Sequence, residues 1–253
     1  MSGQLAGRTC LITGASSGLG AHFAEIVSAA GARVVLAARR KERIELLAES
    51  IRSGGGAAVA VAMDVTDPYS IEAAFAEAEQ KAGAIDTLIA NAGVSRTGPS
   101  VKLPVEAVRE VFDTNLLGVY LTARAAAARM IASGSTEGRG RVVIIGSMLA
   151  GMTGHGDSAY SASKAAVAQL GRGFAREWVR KGINVNVIQP GYILTEMAAD
   201  WFASDQGKAQ IAGFPRRRLQ PVASVDAMLL HLCSDAADAT TGAVITIDDG
   251  QSL

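Results

Sequence analysis

Aromatic residues are scarce in this chain of 253 residues, at 5% of the total. A core built on large rings is therefore excluded. Hydrophobic residues still make up 49%, much of it alanine, so helices are expected to pack closely on a sheet through small side chains. Cysteine is nearly absent, with only Cys10 and Cys233. Two thiols make no disulfide framework, and neither has a metal-ligand neighbour at usable spacing. Cys10 lies in an apolar run and reads as a small core residue. The three histidines, His22, His155 and His231, are scattered, so no clustered zinc site and no bound metal are expected. A prevailing charge is missing too: 24 basic and 24 acidic residues leave a formal net charge of +0. A nucleic-acid partner would need a basic face, and the short run Arg216-Arg217-Arg218 does not supply one. No uncharged apolar run has the length of a membrane span, and no secretory signal opens the chain. The expectations are a cytoplasmic location, no membrane partner, and one domain over residues 1–253.

What is present is a rhythm. Short apolar runs at 9–13, 33–37, 58–63, 87–90, 141–146, 184–189 and 243–247 alternate with longer helical stretches. The runs are nearly continuous rather than alternating, as suits parallel strands covered on both faces. Helices are expected over 17–30, 40–53, 67–82, 104–131 and 158–181, the third opening with Asp67 as cap and Pro68 in the first turn. Such alternation predicts a doubly wound parallel sheet of about seven strands with helices on both faces.

The first strand runs into Gly14-Ala15-Ser16-Ser17-Gly18-Leu19-Gly20 and then a helix. Glycines there let the backbone turn sharply and approach a ligand, and the helix start offers free N–H groups to a pyrophosphate. No Lys-Ser/Thr follows the last glycine, so the turn is not a Walker loop. A carboxylate ending the second strand would hydrogen-bond the 2′-hydroxyl of NAD. Here the strand ends in Arg39-Arg40, and a guanidinium suits a 2′-phosphate. NADP(H) is therefore the expected cofactor, with NAD(H) left open. Further on, Ser147 ends a strand, Tyr160 follows, and Lys164 lies four residues beyond on the same helix face. A phenol's ordinary pKa is about 10, and an adjacent ammonium is expected to lower it. The set offers an acid/base pair and a hydroxyl donor for a carbonyl oxygen.

These pieces in this order, together with Asp64-Val65, Asn91-Ala92-Gly93, Asn115 and Pro190-Gly191, resemble the short-chain dehydrogenase/reductase family in its single-domain, Rossmann-like form. The resemblance runs from about Leu5 to the C-terminus. It implies Tyr160 as general acid/base, Lys164 as its partner and a ribose ligand, Ser147 on the substrate oxygen, and Asn115 supporting a water that links Lys164 to solvent. It also implies Gly14, Ser17, Gly18 and Leu19 at the pyrophosphate, and Asp64 and Val65 at the adenine. Asn91 and Gly93 would flank the ribose, Ile193 would meet the carboxamide after the Pro190-Gly191 turn, and Thr195 would reach the phosphates. Three departures stand out: Ala90 precedes Asn91 where asparagine is common, the last strand ends Asp248-Asp249-Gly250 in place of Asp-Gly-Gly, and Ser16 and Ser17 stand where many NADP users carry a basic residue.

The expected reaction is interconversion of a secondary alcohol and a ketone. A 3-oxoacyl thioester reductase is the alternative, with Arg129 and Arg216–Arg218 as the residues that keep an acyl-carrier partner open. A catalytically silent dinucleotide-binding regulator is the alternative from another class. Residues 196–214 are expected to form a helical lid, with Trp201 and His155 as substrate contacts, and Met148, Leu149 and Met152 suggest an apolar pocket. The partner expected is a small carbonyl or alcohol, and the assembly a homotetramer.

Overall fold

The computed structural model describes residues 3–134, 138–154, 156–195 and 199–253. Seven strands form one sheet: β1 (Thr9–Thr13), β2 (Arg33–Ala38), β3 (Ala57–Ala62), β4 (Thr87–Ala90), β5 (Gly140–Ile145), β6 (Ile183–Pro190) and β7 (Val244–Ile247). Their order is β3-β2-β1-β4-β5-β6-β7, and all neighbouring strands pair in parallel. The chain winds one way from β1 to β3 and the other way from β4 to β7. The crevice where the order reverses, at the carboxyl ends of β1 and β4, is where such sheets bind ligands.

The helices are α1 (Gly18–Ala29), α2 (Lys41–Ser53), α3 (Pro68–Ala82), α4 (Val105–Phe112), α5 (Gly118–Ser133), α6 (Ser158–Trp178), α7 (Ala199–Ala203), α8 (Asp205–Gly213) and α9 (Asp226–Cys233). Two apolar clusters explain the continuous strand runs. Leu11, Val142 and Ile144 pack with Phe75 of α3, Ala123 of α5 and Phe174 of α6. Their strand neighbours Cys10, Ile12, Val143 and Ile145 pack on the other face with Phe23 of α1, Ile44 of α2 and Leu229 of α9. Period-2 alternation thus feeds both faces at once. The small residues do what their abundance implies. A Cβ on Gly171 would stand 2.5 Å from Val187 Cγ2, so α6 lies against β6 at a distance only glycine permits.

Two expectations need correction. The stretch 104–131 is not one α-helix: a π-helical turn over Asp113–Leu117 separates α4 from α5. The wider turn carries Asn115, whose amide is drawn to the Val94 backbone, and π turns often mark functional positions. Helix 158–181 ends its α-helical part at Trp178 and closes with a 3-10 turn over Val179–Lys181. Asp67 caps α3, accepting from Tyr69 N. Both cysteines are free and buried. Among the described residues no helix is long and apolar enough to cross a membrane, and no group of metal-ligating side chains is assembled.

Candidate active site

A cavity of about 810 Å³ opens at the carboxyl ends of the strands. Its lining unites residues scattered over nearly the whole chain. Gly14, Ser17, Gly18, Leu19, Arg39, Asp64, Val65, Asn91 and Gly93 line one stretch of it. Ser147, Tyr160, Lys164, Pro190, Gly191, Ile193, Thr195 and Trp201 line the rest. His155 lies outside the described residues. Asn115 is fully buried behind the wall rather than on it.

One end of the cavity is built by the turn between β1 and α1. Gly14 and Gly18 have φ of +67° and +54°. A Cβ on Gly14 would stand 2.9 Å from Ala92 Cα, so only glycine lets the turn lie against the β4 loop. Ser17 extends before α1 without capping it, and no acidic residue occupies the first turn. The N–H groups and positive dipole end of α1 are therefore directed at the cavity without a side-chain competitor. Asn91 ties the turn down: its amide nitrogen donates to Thr13 O at 3.0 Å, and the Asn91 and Ala92 N–H groups both donate to Thr13 Oγ1 at 3.0 Å. The Asn91 amide nitrogen thus braces the turn while the residue lines the cavity.

The basic group that the turn lacks in sequence arrives through space. Arg40 donates to Ser16 Oγ from Nε at 3.0 Å and from a terminal nitrogen at 2.8 Å, and to Ser17 Oγ at 2.5 Å. Arg39 lines the same end. Asp64 stands near it: partial burial works against its charge, but the Thr66 amide and hydroxyl bonds and the Arg39 charge hold its carboxyl below the usual range. An uncapped helix start, two positive-φ glycines and two guanidiniums fit a dinucleotide with a phosphorylated adenosine ribose.

At the other end, Tyr160 and Lys164 extend from α6 and Ser147 from the end of β5. The Tyr160 hydroxyl and the Ser147 side chain lie within reach of one another. Burial pushes the phenol up to about 12; the Ser147 side chain opposes this, while Asp157 and Tyr192 add to it. Burial also lowers Lys164 to about 8. Its Nζ donates to Ile145 O at 2.9 Å and lies 5.7 Å from the Tyr160 ring centre. The expected lowering of the phenol by the ammonium is thus corrected: burial raises it instead. The i, i+4 spacing puts both on one face, but the longer lysine reaches past the ring to the strand-end carbonyl. Asn115 Oδ1 accepts from Val94 N at 2.8 Å, and its Nδ2 donates to Val94 O at 2.9 Å and Ser163 Oγ at 3.1 Å. Asn115 and Lys164 flank the same glycine: a Cβ on Gly93 would stand 3.3 Å from Asn115 Oδ1 and 3.6 Å from Lys164 Nζ.

The substrate side is more polar than the sequence suggests. Met148 and Leu149 line the cavity, whereas Met152 lines a separate one. Ser95, Thr97, Asp157, Tyr192 and Gln210 join them. The described part of the 196–214 segment is the helix pair α7–α8. Trp201 Nε1 donates to Gln210 Oε1 at 2.7 Å across it. Phe202 and Phe214 pack on Tyr192, with ring centres 5.5 and 5.7 Å away. Sequence reasoning missed Tyr192, although its place directly after Pro190-Gly191 was a signal. Gln210 and Asp157 had none.

Comparison with known proteins follows the same lines. A family model described as short chain dehydrogenase matches residues 8–206. Oxidoreductase UcpA of Salmonella typhimurium is 36% identical over 259 residues, covering 99% of this chain and 97% of that protein. The cis-4-hydroxycyclohexanecarboxylate dehydrogenase of Sinomonas cyclohexanicum is 36% identical over 251 residues, with 99% and 98% covered. A gluconate 5-dehydrogenase from Burkholderia cenocepacia, solved with NADP and tartrate, superposes with a TM-score of 0.92 at 32% identity, covering 98% of this chain and 96% of that one.

Proposed function

The chain belongs to the short-chain dehydrogenase/reductase family of oxidoreductases, and from that premise we propose that it interconverts a secondary alcohol and a ketone with NADP(H) as preferred cofactor. The observation that carries the reading is the meeting of Ser147, Tyr160 and Lys164 in one cavity with the glycine turn and two arginines. Gly14, Gly18 and the start of α1 would hold the pyrophosphate, and Arg39 and Arg40 the 2′-phosphate. Once bound, the nicotinamide supplies or takes up the hydride. In reduction Tyr160 gives its hydroxyl proton to the carbonyl oxygen, which Ser147 holds by a hydrogen bond; in oxidation both transfers reverse. A phenol held up to about 12 is protonated throughout the neutral range, which suits the donor role in reduction. Lys164 would anchor the ribose, and its position beside Gly93 and Asn115 supports a proton path through a water at Asn115. Residues 199–214 would cover the substrate, with Trp201, Tyr192 and Gln210 facing it. The partner is a small carbonyl or alcohol, as with the dehydrogenase relatives.

An acyl-carrier partner for a 3-oxoacyl thioester is less well supported. Arg129 is engaged with Glu72 at 2.7 Å and Glu79 at 3.4 Å, and Arg216 and Arg218 with Asp249 at 3.2 and 2.8 Å. These cations already face carboxylates of the same chain.

The test is NADPH oxidation with activated ketones by the purified protein and by Tyr160→Phe. That variant keeps the ring and removes the transferable proton, so kcat should fall by about 10²–10⁴ with cofactor affinity retained. Near-normal kcat in the variant would refute the assignment.

A further inference from the structure

Where the chain leaves β6, its regular pairing with β7 ends. The last β6–β7 register pair is Pro190 with Ile247, yet the next residues, Gly191, Tyr192 and Ile193, all line the cavity. Two buried glutamines take over. Gln220 Oε1 accepts from Gly191 N at 2.8 Å, sharing that donor with Ile247 O at 3.1 Å. Gln251 Oε1 accepts from Tyr192 N at 2.6 Å, and its Nε2 donates to Tyr192 O and Arg218 O, both at 3.3 Å. The Gln251 amide therefore grips the N–H and the C=O of one residue, as a neighbouring strand would. The grip is close. A Cβ on Gly191 would stand 2.5 Å from Gln251 Oε1 and 2.8 Å from Gln220 Oε1, so glycine is needed there.

Gln251 is the third residue from the end of the sequence, but it is not loose. Asp248 accepts from Gly250 N at 3.0 Å and Ser252 N at 2.9 Å through its carboxylate, and from Gln251 N at 3.0 Å through its carbonyl. Gln251 is 6% exposed. Tyr192 is thus fixed at both ends: its N–H by Gln251 and its C=O by Gln251 together with the Gln220 backbone N–H at 2.9 Å, and its ring by Phe202 edge-on and Phe214 stacked.

We propose that Gln251 is a positioning residue of the reaction centre, holding the Tyr192 ring as a rigid wall of the substrate cavity beside Tyr160 and so making Tyr192 a specificity-determining residue. The catalytic part of this inference rests on the reaction proposed above; the positioning part does not. A tail that only closed the fold would affect stability alone, whereas a wall held in place must also affect which ketones fit.

Gln251→Leu keeps the bulk and removes the acceptor, and Gln251→Glu keeps an acceptor for Tyr192 N. Amide hydrogen exchange of residues 190–195 is measured in the ligand-free protein, and kcat/KM for a small and a bulky ketone in wild-type and Tyr192→Leu backgrounds. In Gln251→Leu, exchange in 190–195 should rise about tenfold while β6 and β7 stay protected. Its kcat/KM should fall about ten- to a hundredfold, with narrowed discrimination between the ketones. Gln251→Glu keeps the acceptor but loses the donor to Tyr192 O and Arg218 O, so it should recover only part of either effect. In the Tyr192→Leu background the added loss should shrink to about threefold or less, because the two residues act as one unit. Unchanged loop exchange in Gln251→Leu, discrimination equal to wild type, or a full loss in the Tyr192→Leu background would each overturn the proposal. If the wild-type protein reduces no ketone, the proposed reaction fails instead, and the exchange experiment still decides whether Gln251 fixes the loop.

Discussion

Lys164 is kept in the fold against its own solvation, and that gives a measurable pH signature. The side chain is 4% exposed, and its one described hydrogen bond is to Ile145 O. Burial lowers its pKa from 10.5 to about 8. The folded chain therefore sheds this proton near pH 8, while the unfolded chain keeps it to about 10.5. Between those values the unfolded state binds more protons, so stability must rise with pH. The slope is about 1.4 kcal/mol per pH unit and the whole interval is worth about 3 kcal/mol. Below pH 8 both states are protonated, and the penalty is full and constant. Lys164→Met removes the titrating group and keeps the stem. Urea unfolding of both proteins at pH 7.0, 8.0 and 9.5 isolates the effect, since other groups titrate in both. From pH 8.0 to 9.5 the wild type should gain about 2 kcal/mol relative to the variant, with no relative change from 7.0 to 8.0 beyond the shoulder of the titration. Parallel stability curves would show that the buried ammonium carries no such penalty and would refute the reasoning. The variant should also lose turnover, which would make Lys164 a residue retained for chemistry at a cost in stability.

Other expectations follow from the same geometry. Arg39→Ala should reduce kcat/KM with NADPH by about tenfold or more and leave NADH nearly unaffected; equal use of both cofactors by the wild type would refute the preference. Alcohol oxidation needs the Tyr160 phenolate, so its rate should climb with pH across 7–9 while ketone reduction stays nearly level; a reduction rate that rises with pH would contradict Tyr160 as donor. In Gly207→Ala the new Cβ would stand 2.1 Å from Trp201 O and 2.7 Å from Phe202 Cα. The α7–α8 pair must then open, lowering stability by about 1–3 kcal/mol and raising KM for the ketone more than for the cofactor; unchanged KM would remove this pair from the substrate site. A homotetramer is expected from apolar side chains left exposed on and beside the long helices, among them Leu117, Tyr120, Ile131 and Val179; a clean monomer in sedimentation at micromolar concentration would refute it.

The sheet and much of the cavity lining are legible in the sequence, and the reason is local. Continuous apolar runs such as Cys10-Leu11-Ile12 serve both faces of a covered parallel strand, and glycines at 14 and 18 declare a backbone that must approach something closely. Tyr160 and Lys164 share a helix face by spacing alone. What depended on tertiary structure was every relation formed across the chain. The turn's serines carry no charge, yet Arg40 reaches them from the next strand's end. Lys164 and Tyr160 are neighbours in sequence, but burial of both moves each pKa opposite to the simple pairing, because desolvation is set by what surrounds the helix and not by the helix itself. The π turn at Asn115 and the grip of Gln251 on Tyr192 have no periodic signal. A residue near the end of the chain becomes part of the site only because β7 delivers it beside the end of β6, and sequence distance holds no record of that.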